Sequence, residues 1–332
     1  MMSKACAPPY MITPKMIRHI ESIGESIGRI SMVSKISTTP HLRRNNQIKT
    51  VQASLNIEGN TLSLEQVTAV IEGKRVLGSA REIQEVHNAF AAYDHIEDWN
   101  PWNVSHLCEA HGVMMKGLEK NCGIFRKSSV GIHRKGEIVH VAPPAKKVPS
   151  LINDLFEWFK SSPDHPLIKG AVVHYELEFI HPFMDGNGRM GRLWNTLILG
   201  KWKPLFYLLP VESVIRDQQK KYYDALRISD AKGESTPLVE FLLEAIHFAL
   251  QELTPQVTPQ VTPQVENLIT VITHEMNRIQ LMEALSLKDR KYFSVAYLQP
   301  ALKAGLIEMT LPDKPRSSNQ KYRLTNKGEL LR

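Results

Sequence analysis

Apolar residues return at helical spacing along most of this chain. Ile17, Ile20, Ile23, Ile27 and Ile30 form one series behind Pro8, Pro9 and Pro14, so residues 1 to about 40 read as an arm plus a helix. Thr61–Val67 opens another helix with Ser63 as its N-cap, and Arg81–Trp99 and Lys147–Phe159 supply two more. The run Ile168–Ile180 has the same period, a helix starts near Asn187, and Pro237–Leu253 is amphipathic. Thr254-Pro255-Gln256-Val257 then repeats twice more, ending at Val265. Three prolines at a period of four suit neither a helix interior nor a central strand, which predicts an extended, stiff linker. Beyond it, Glu266–His274, Arg278–Leu285 and Lys291–Ala304 read as helices, and Gly305–Thr310 and Lys321–Thr325 as two strands.

At 332 residues the chain should hold two or three modules, and 42% hydrophobic with 23% charged residues is a globular balance. Three cysteines, Cys6, Cys108 and Cys122, with no Cys-x-x-Cys pair argue against a disulfide framework or a zinc ribbon and suit a reducing cytoplasm. The N-terminus lacks the apolar stretch of a signal peptide, and no apolar run approaches the ~20 residues that span a bilayer, so no membrane partner is expected. The net charge of +7 points to an acidic partner of some kind, and residues 264–332 carry 11 Lys+Arg against 7 Asp+Glu.

The densest chemistry lies in His181-Pro182-Phe183-Met184-Asp185-Gly186-Asn187-Gly188-Arg189-Met190-Gly191-Arg192. Pro182 disfavours helix at His181, so the chain turns there. Gly186 and Gly188 let the backbone approach a ligand closely, and the next helix offers unpaired N–H groups and a positive dipole end to an anion. Arg189 and Arg192, three apart, share a helical face and can both reach phosphate oxygens. Asp185, just outside the helix, can hold a phosphate-bound Mg²⁺, and a neutral His181 can take a proton from a hydroxyl. Singly, each residue reads as an ordinary turn or surface residue. A calcium loop fails because Arg189 and Thr196 stand where oxygen ligands are required, and a Walker loop fails for want of Gly-Lys-Ser/Thr.

At every defining position this string resembles the Fic-family signature, His-x-Phe-x-Asp/Glu-Gly-Asn-Gly-Arg-x-x-Arg. The resemblance implies a mainly α fold, a helical core carrying a β-hairpin flap. It also implies transfer of AMP from ATP to a Ser, Thr or Tyr hydroxyl of a target protein, or of the chain itself, with release of pyrophosphate. On that pattern His181 is the general base, Phe183 anchors the loop, and Asp185 is the metal ligand for Mg²⁺. Gly186, Asn187 and Gly188 form the anion hole, and Arg189 and Arg192 bind the β- and γ-phosphates.

Three further segments extend the resemblance over residues 40 to 250. Ser54-Leu55-Asn56-Ile57-Glu58-Gly59-Asn60 resembles the family's inhibitory motif, which implies that Glu58, with Ser54, displaces ATP from its productive pose by pairing with Arg192. Local chemistry also allows an ordinary C-cap, with Glu58 in the last turn before Gly59. Gly123-Ile124-Phe125-Arg126 opens a segment resembling the flap, which turns near Lys135-Gly136-Glu137 and returns as Ile138, Val139, His140 and Val141 beside the nucleotide. Such a flap would capture an extended target segment by main-chain pairing. Lys221-Tyr222-Tyr223 resembles the adenine-side helix, with Tyr222 on the nucleotide and Asp230 standing where relatives often carry Asn.

The implied layout is an N-terminal helical region over 1–110 holding the inhibitory motif 54–60, then a catalytic domain over 111–250. That domain contains the flap, 123–144, and the motif, 181–192. A linker over 251–265 and a module over 266–332 that resembles a winged helix complete it. The last could contact DNA, through Lys288, Arg290, Lys291, Lys314 and Arg316, or another protein. Two other functions stay open: a DNA-binding regulator whose nucleotide site does not turn over, and a Fic enzyme that removes AMP or transfers UMP or phosphocholine. A homodimer also stays open.

Overall fold

A computed structural model describes residues 7–33, 40–129, 131–134, 137–257, 262–315 and 317–329. The chain divides into two units, Met1–Ile27 with Ile36–Leu253, and Gly28–Lys35 with Thr254–Arg332. The first unit is helical. It comprises α1 (Pro14–Val33, crossing into the second unit), α2 (Pro40–Ile57), α3 (Leu64–Ile71), α4 (Ala80–Asp94) and α5 (Val104–Met114). The hairpin β1 (Gly131–Arg134) and β2 (Glu137–Val141) follows, then α6 (Val148–Ser161), α7 (Pro166–Ile180), α8 (Asn187–Trp202), α9 (Val211–Asp217), α10 (Gln219–Lys232) and α11 (Thr236–Val257).

The centre of this unit is the pair α7 and α8, which pack along one another. Thirteen of the 16 residues of α8 are buried, as are ten of the 15 of α7, which is how a helix behaves when neighbours cover it on every side. α2 lies against α4 and α9 and ends beside α8. β1 and β2 pair antiparallel, Gly131 opposite Val141, with an irregularity between Ile132 and His133. The turn at Lys135-Gly136 lies outside the described residues.

Several helix limits follow the expected chemistry. Ser63 caps α3 in a reciprocal box with Gln66, and Ser79 does the same for α4 with Glu82. The helix expected over Arg81–Trp99 stops at Asp94 and finishes as a 3₁₀ turn, Ile96–Asp98. In α1, Ile23, Ile27 and Ile30 are buried as the isoleucine series predicts, but at its start Met16 takes the inward place and Ile17 is 58% exposed.

The second unit holds α12 (Pro263–Val271), β3 (Met276–Asn277), α13 (Arg278–Ala284), a continuous helical stretch from Arg290 to Lys303, β4 (Ile307–Met309) and β5 (Lys321–Leu324). The strands form an antiparallel sheet in the order β3-β5-β4. Its core is apolar, built on Leu268, Ile272, Leu281, Phe293, Ala301 and Leu306. Phe293–Leu298 is wound as a π-helix ending two residues before Pro300, whose missing N–H leaves Ala296 without the usual donor.

The proline repeats correct the linker expectation. The first repeat, Thr254–Val257, is the last turn of α11, and the third starts α12, with Thr262 as N-cap and Pro263 at the first helical position. Only residues 258–261 remain outside the described residues there. Among the described residues no helix is long and apolar enough to cross a membrane.

Candidate active site

The loop between α7 and α8 is built on two unusual backbone positions. His181 caps α7 with φ 50°, left-handed, and Gly186 precedes α8 with φ 83°. A non-glycine residue in that region is costly and persists only where its surroundings hold it. The surroundings here are specific. Asn187 grips Phe183 twice, its Oδ1 accepting from Phe183 N–H at 2.9 Å and its Nδ2 donating to Phe183 O at 3.0 Å. Phe183 is fully buried and stacks face to face on His111 of α5, with ring centres 3.7 Å apart. His111 Nδ1 accepts from Gly123 N–H, which places its proton on Nε2, and Nε2 donates to Asp185 O at 2.9 Å. Burial presses the His111 pKa down to about 4, so the ring stays neutral in this role.

Arg126 holds the same loop from the other side. Its buried guanidinium donates to the carbonyls of His181 (2.7 Å), Ile180 (3.2 Å), Ser128 (2.9 Å) and Pro143 (2.5 Å). Neither His111 nor Arg126 was assigned a role from sequence. Arg126 stands in the Gly-Ile-Phe-Arg stretch, yet nothing local reveals its three distant acceptors, Pro143, Ile180 and His181.

His181 donates from Nδ1 to Glu178 O at 3.2 Å, because a carbonyl can only accept. The proton is thereby placed on Nδ1, and Nε2 is the basic nitrogen. Asp185, partly exposed, accepts from Gly186 N–H at 2.6 Å and pairs with Arg81 and Arg189, both at 3.3 Å. Arg189 is buried and also faces Glu85 at 3.6 Å.

Arg192 is 1% exposed and is engaged from α2. Its Nε donates to Ser54 Oγ at 3.1 Å, and its Nη2 to Ser54 O at 3.1 Å and to Glu58 Oε1 at 2.7 Å. Burial disfavours the Arg192 charge, but Glu58, Tyr222 and Glu178 together outweigh it and the guanidinium's pKa lies above its ordinary value. Glu58 is delivered by the end of α2. Gly59 N–H bonds Asn56 O, and Asn60 N–H bonds Leu55 O, with Gly59 at φ 94°. This is a Schellman closure, so the C-cap and the ion pair are both present, and the first aims the second.

Gly188 completes the contact. A Cβ on it would lie 2.4 Å from Glu58 Oε1, 3.2 Å from Glu178 Oε1 and 3.3 Å from Arg192 Nη1. The Glu58 carboxylate therefore rests on the first turn of α8, against bare backbone and a guanidinium. A helix N-terminus and a cation together attract an anion, and this chain seats one of its own there.

The adenine-side expectations fare differently. Tyr222 is 1% exposed and its hydroxyl is taken up by His174 at 3.0 Å and Glu178 at 3.3 Å. Burial raises its pKa and presses that of His174 down to about 3. Its neighbour Tyr223 donates to Ile57 O, next to Glu58. Asp230 accepts from Tyr175 at 3.0 Å. The side chains of Ile138, Val139, His140 and Val141 lie outside the described residues, although their backbone forms β2.

Comparison with known proteins agrees with this geometry. Residues 101–199 match the Fic/DOC family, and residues 263–325 match the C-terminal domain of "Filamentation induced by cAMP protein Fic-like". A protein adenylyltransferase Fic of Aedes aegypti is 31% identical over 210 residues, covering 59% of this chain and 40% of that protein. The protein adenylyltransferase fic-1 of Caenorhabditis elegans is 25% identical over 252 residues, covering 72% and 47%. The chain thus spans less than half the length of these curated relatives. The crystal structure of a Fic family protein from Desulfovibrio desulfuricans G20 superposes with a TM-score of 0.74 at 52% identity, over 97% of this chain and 99% of that one. With likeness running through both units and a histidine, a carboxylate and two guanidiniums gathered on one loop and helix, the chain belongs to the Fic family.

Proposed function

We propose that this chain transfers AMP from ATP to a hydroxyl of a protein, the target's or its own, and that Glu58 restrains the transfer. The observation that carries the reading is the Glu58 carboxylate on Gly188 and Arg192, an internal anion at the place where the motif should seat a phosphate. Relatives named protein adenylyltransferase supply the reaction class.

In this reading His181 Nε2 takes the hydroxyl proton as the oxygen bonds the α-phosphorus and pyrophosphate leaves. The Nδ1–H bond to Glu178 O keeps the ring in the tautomer that can do so. Arg189 and Arg192 hold the outgoing phosphates, and the α8 N-terminus with Gly188 supplies main-chain donors. Mg²⁺ suits Asp185: the carboxylate is 45% exposed beside the first turn of α8, and among the described residues no cluster of three ligating side chains offers the ion a cage. One carboxylate plus substrate phosphates is a usual magnesium environment, and the ion would neutralise phosphate charge. Glu58 opposes all this by occupying Arg192, so ATP binds without its last phosphate in place.

We also read β1–β2 as the segment that captures the target main chain, and the second unit as a winged helix with a DNA or protein partner. Residues 1–110 and 111–250 serve as the inhibitory and catalytic parts. The test is ATP labelled at the α-phosphate: Glu58→Gly should raise incorporation into protein, and His181→Ala in that background should abolish it. Equal labelling of the parent and Glu58→Gly would reject the restraint.

A further inference from the structure

The two roots of the β1–β2 hairpin frame a cleft of about 540 Å³ that the catalytic reading leaves unused. Its walls include Cys108, Ile124, Phe125 and Pro149, and Lys127 and Lys146 stand among them, with no carboxylate in the lining. Ile124 is 53% exposed, which is high for an aliphatic side chain in a recess. Among the described residues, no ion pair takes up Lys127 or Lys146. The recess is therefore apolar inside and uncompensated in positive charge.

Its position relative to the catalytic loop is set by one side chain. Arg126 lines the cleft, and its guanidinium binds Ser128 O on one root, Pro143 O on the other, and His181 O in the loop. The cleft thus lies about one arginine length from the His181 main chain, and with the added reach of the imidazole an extended chain covers the span in roughly two to four residues at ~3.3 Å each. Lys127 comes four residues before β1 and Lys146 five after β2, so a segment lying along the hairpin edge would run directly into the recess.

We propose that this cleft selects the protein substrate: it takes an aliphatic side chain flanked by acidic residues, two to four positions from the modified hydroxyl. The inference rests on the AMP-transfer reading above and assigns that reaction its substrate class. The aliphatic group would cover Ile124, and the acidic groups would meet Lys127 and Lys146, a complementarity that excludes basic flanks.

The test uses the full chain carrying Glu58→Gly, α-labelled ATP, and an array of twelve-residue peptides. Each peptide has one central serine, with Leu, Asp or Lys at defined offsets. Peptides with Leu and Asp two to four positions from the serine should be labelled about five- to tenfold above those with Lys flanks, the worth of two exposed charge pairs and one apolar contact. Lys127→Glu with Lys146→Glu should reverse that preference towards Lys flanks, and Ile124→Asp should remove the advantage of Leu. All three residues are exposed and none touches the reacting groups. Labelling indifferent to the flanks, a preference unmoved by the double charge reversal, or self-labelling of the chain without labelling of any peptide would each overturn the cleft assignment. No label in any protein or peptide would instead reject AMP transfer itself, and the cleft proposal with it.

Discussion

The two units of this chain bury different things. In the first, Arg126, His111, His174, Asn187, Arg189, Arg192 and Glu212 are all less than 6% exposed, clustered around α7 and α8. In the second, the core is apolar throughout, with Gln320 among the few buried polar side chains described there. Burying a charge is costly unless geometry compensates it, so a core dense in cations and imidazoles retains them for something other than stability. An apolar core has no such demand. It follows that the first unit carries its chemistry inside, and any activity of the second lies on its surface.

The largest expected effect tests the chemical half of that contrast. His181→Ala in the Glu58→Gly background should lower AMP incorporation by about 10²–10⁴-fold, the usual worth of a general base, while the urea midpoint stays near that of the parent background. In the second unit the matching loss is purely structural. Phe293→Ala should cost about 3–5 kcal/mol in urea unfolding of that unit, since it removes a fully buried ring from an apolar cluster.

A third prediction uses pH. His111 titrates at about 4 in the fold and near the ordinary imidazole value once unfolded, so between those values the unfolded chain binds the extra proton. Stability contributed by the neutral ring is full above about pH 6.5 and falls as pH drops towards 4, by on the order of 3 kcal/mol at ~1.4 per pH unit. The buried acids Glu176 and Glu212 shift in the opposite sense, raised by burial, so the parent's curve alone is not diagnostic. The comparison of parent with His111→Gln isolates the term: the variant's urea midpoint should fall less between pH 7 and 4.5.

Glu58→Gly should destabilise the free chain by about 1–3 kcal/mol, because Arg192 stays buried without its carboxylate. Adding ATP should raise the melting temperature of this variant more than that of the parent, as phosphate takes the vacated contact. An equal rise in both would break the analogy between Glu58 and phosphate. The smallest effect belongs to the surface of the second unit. Lys291→Gln should change its unfolding free energy by no more than about 0.5 kcal/mol, measured from the same urea curves.

What was readable in the chain was whatever sits close together along it. His181 to Arg192, the helices flanking it and the Ser63 cap each rest on residues within a few positions of one another, so local spacing is enough to place them. The proline repeats show the limit of local reasoning. A period of four excludes a helix interior, yet Pro255 lies in a last turn and Pro263 at a first position, where the missing N–H costs little. Tyr222 shows another limit. Its resemblance to the family's adenine-side helix implied a nucleotide contact, and only packing revealed that His174 and Glu178 occupy its hydroxyl.

The residues by themselves determined the helical class, the loop between two buried helices and the chemical identity of the groups on it. Tertiary structure alone decided that His111 and Arg126 clamp the loop and that the hairpin roots enclose a recess; the Glu58–Arg192 pair, 134 positions apart, was implied by the resemblance to the inhibitory motif and by no local spacing. Periodicity and turn chemistry act over a few bonds and can be read in order. Ion pairs, stacked rings and shared carbonyls depend on which distant segments are brought within 3–4 Å, and that distance is a property of the packed fold alone.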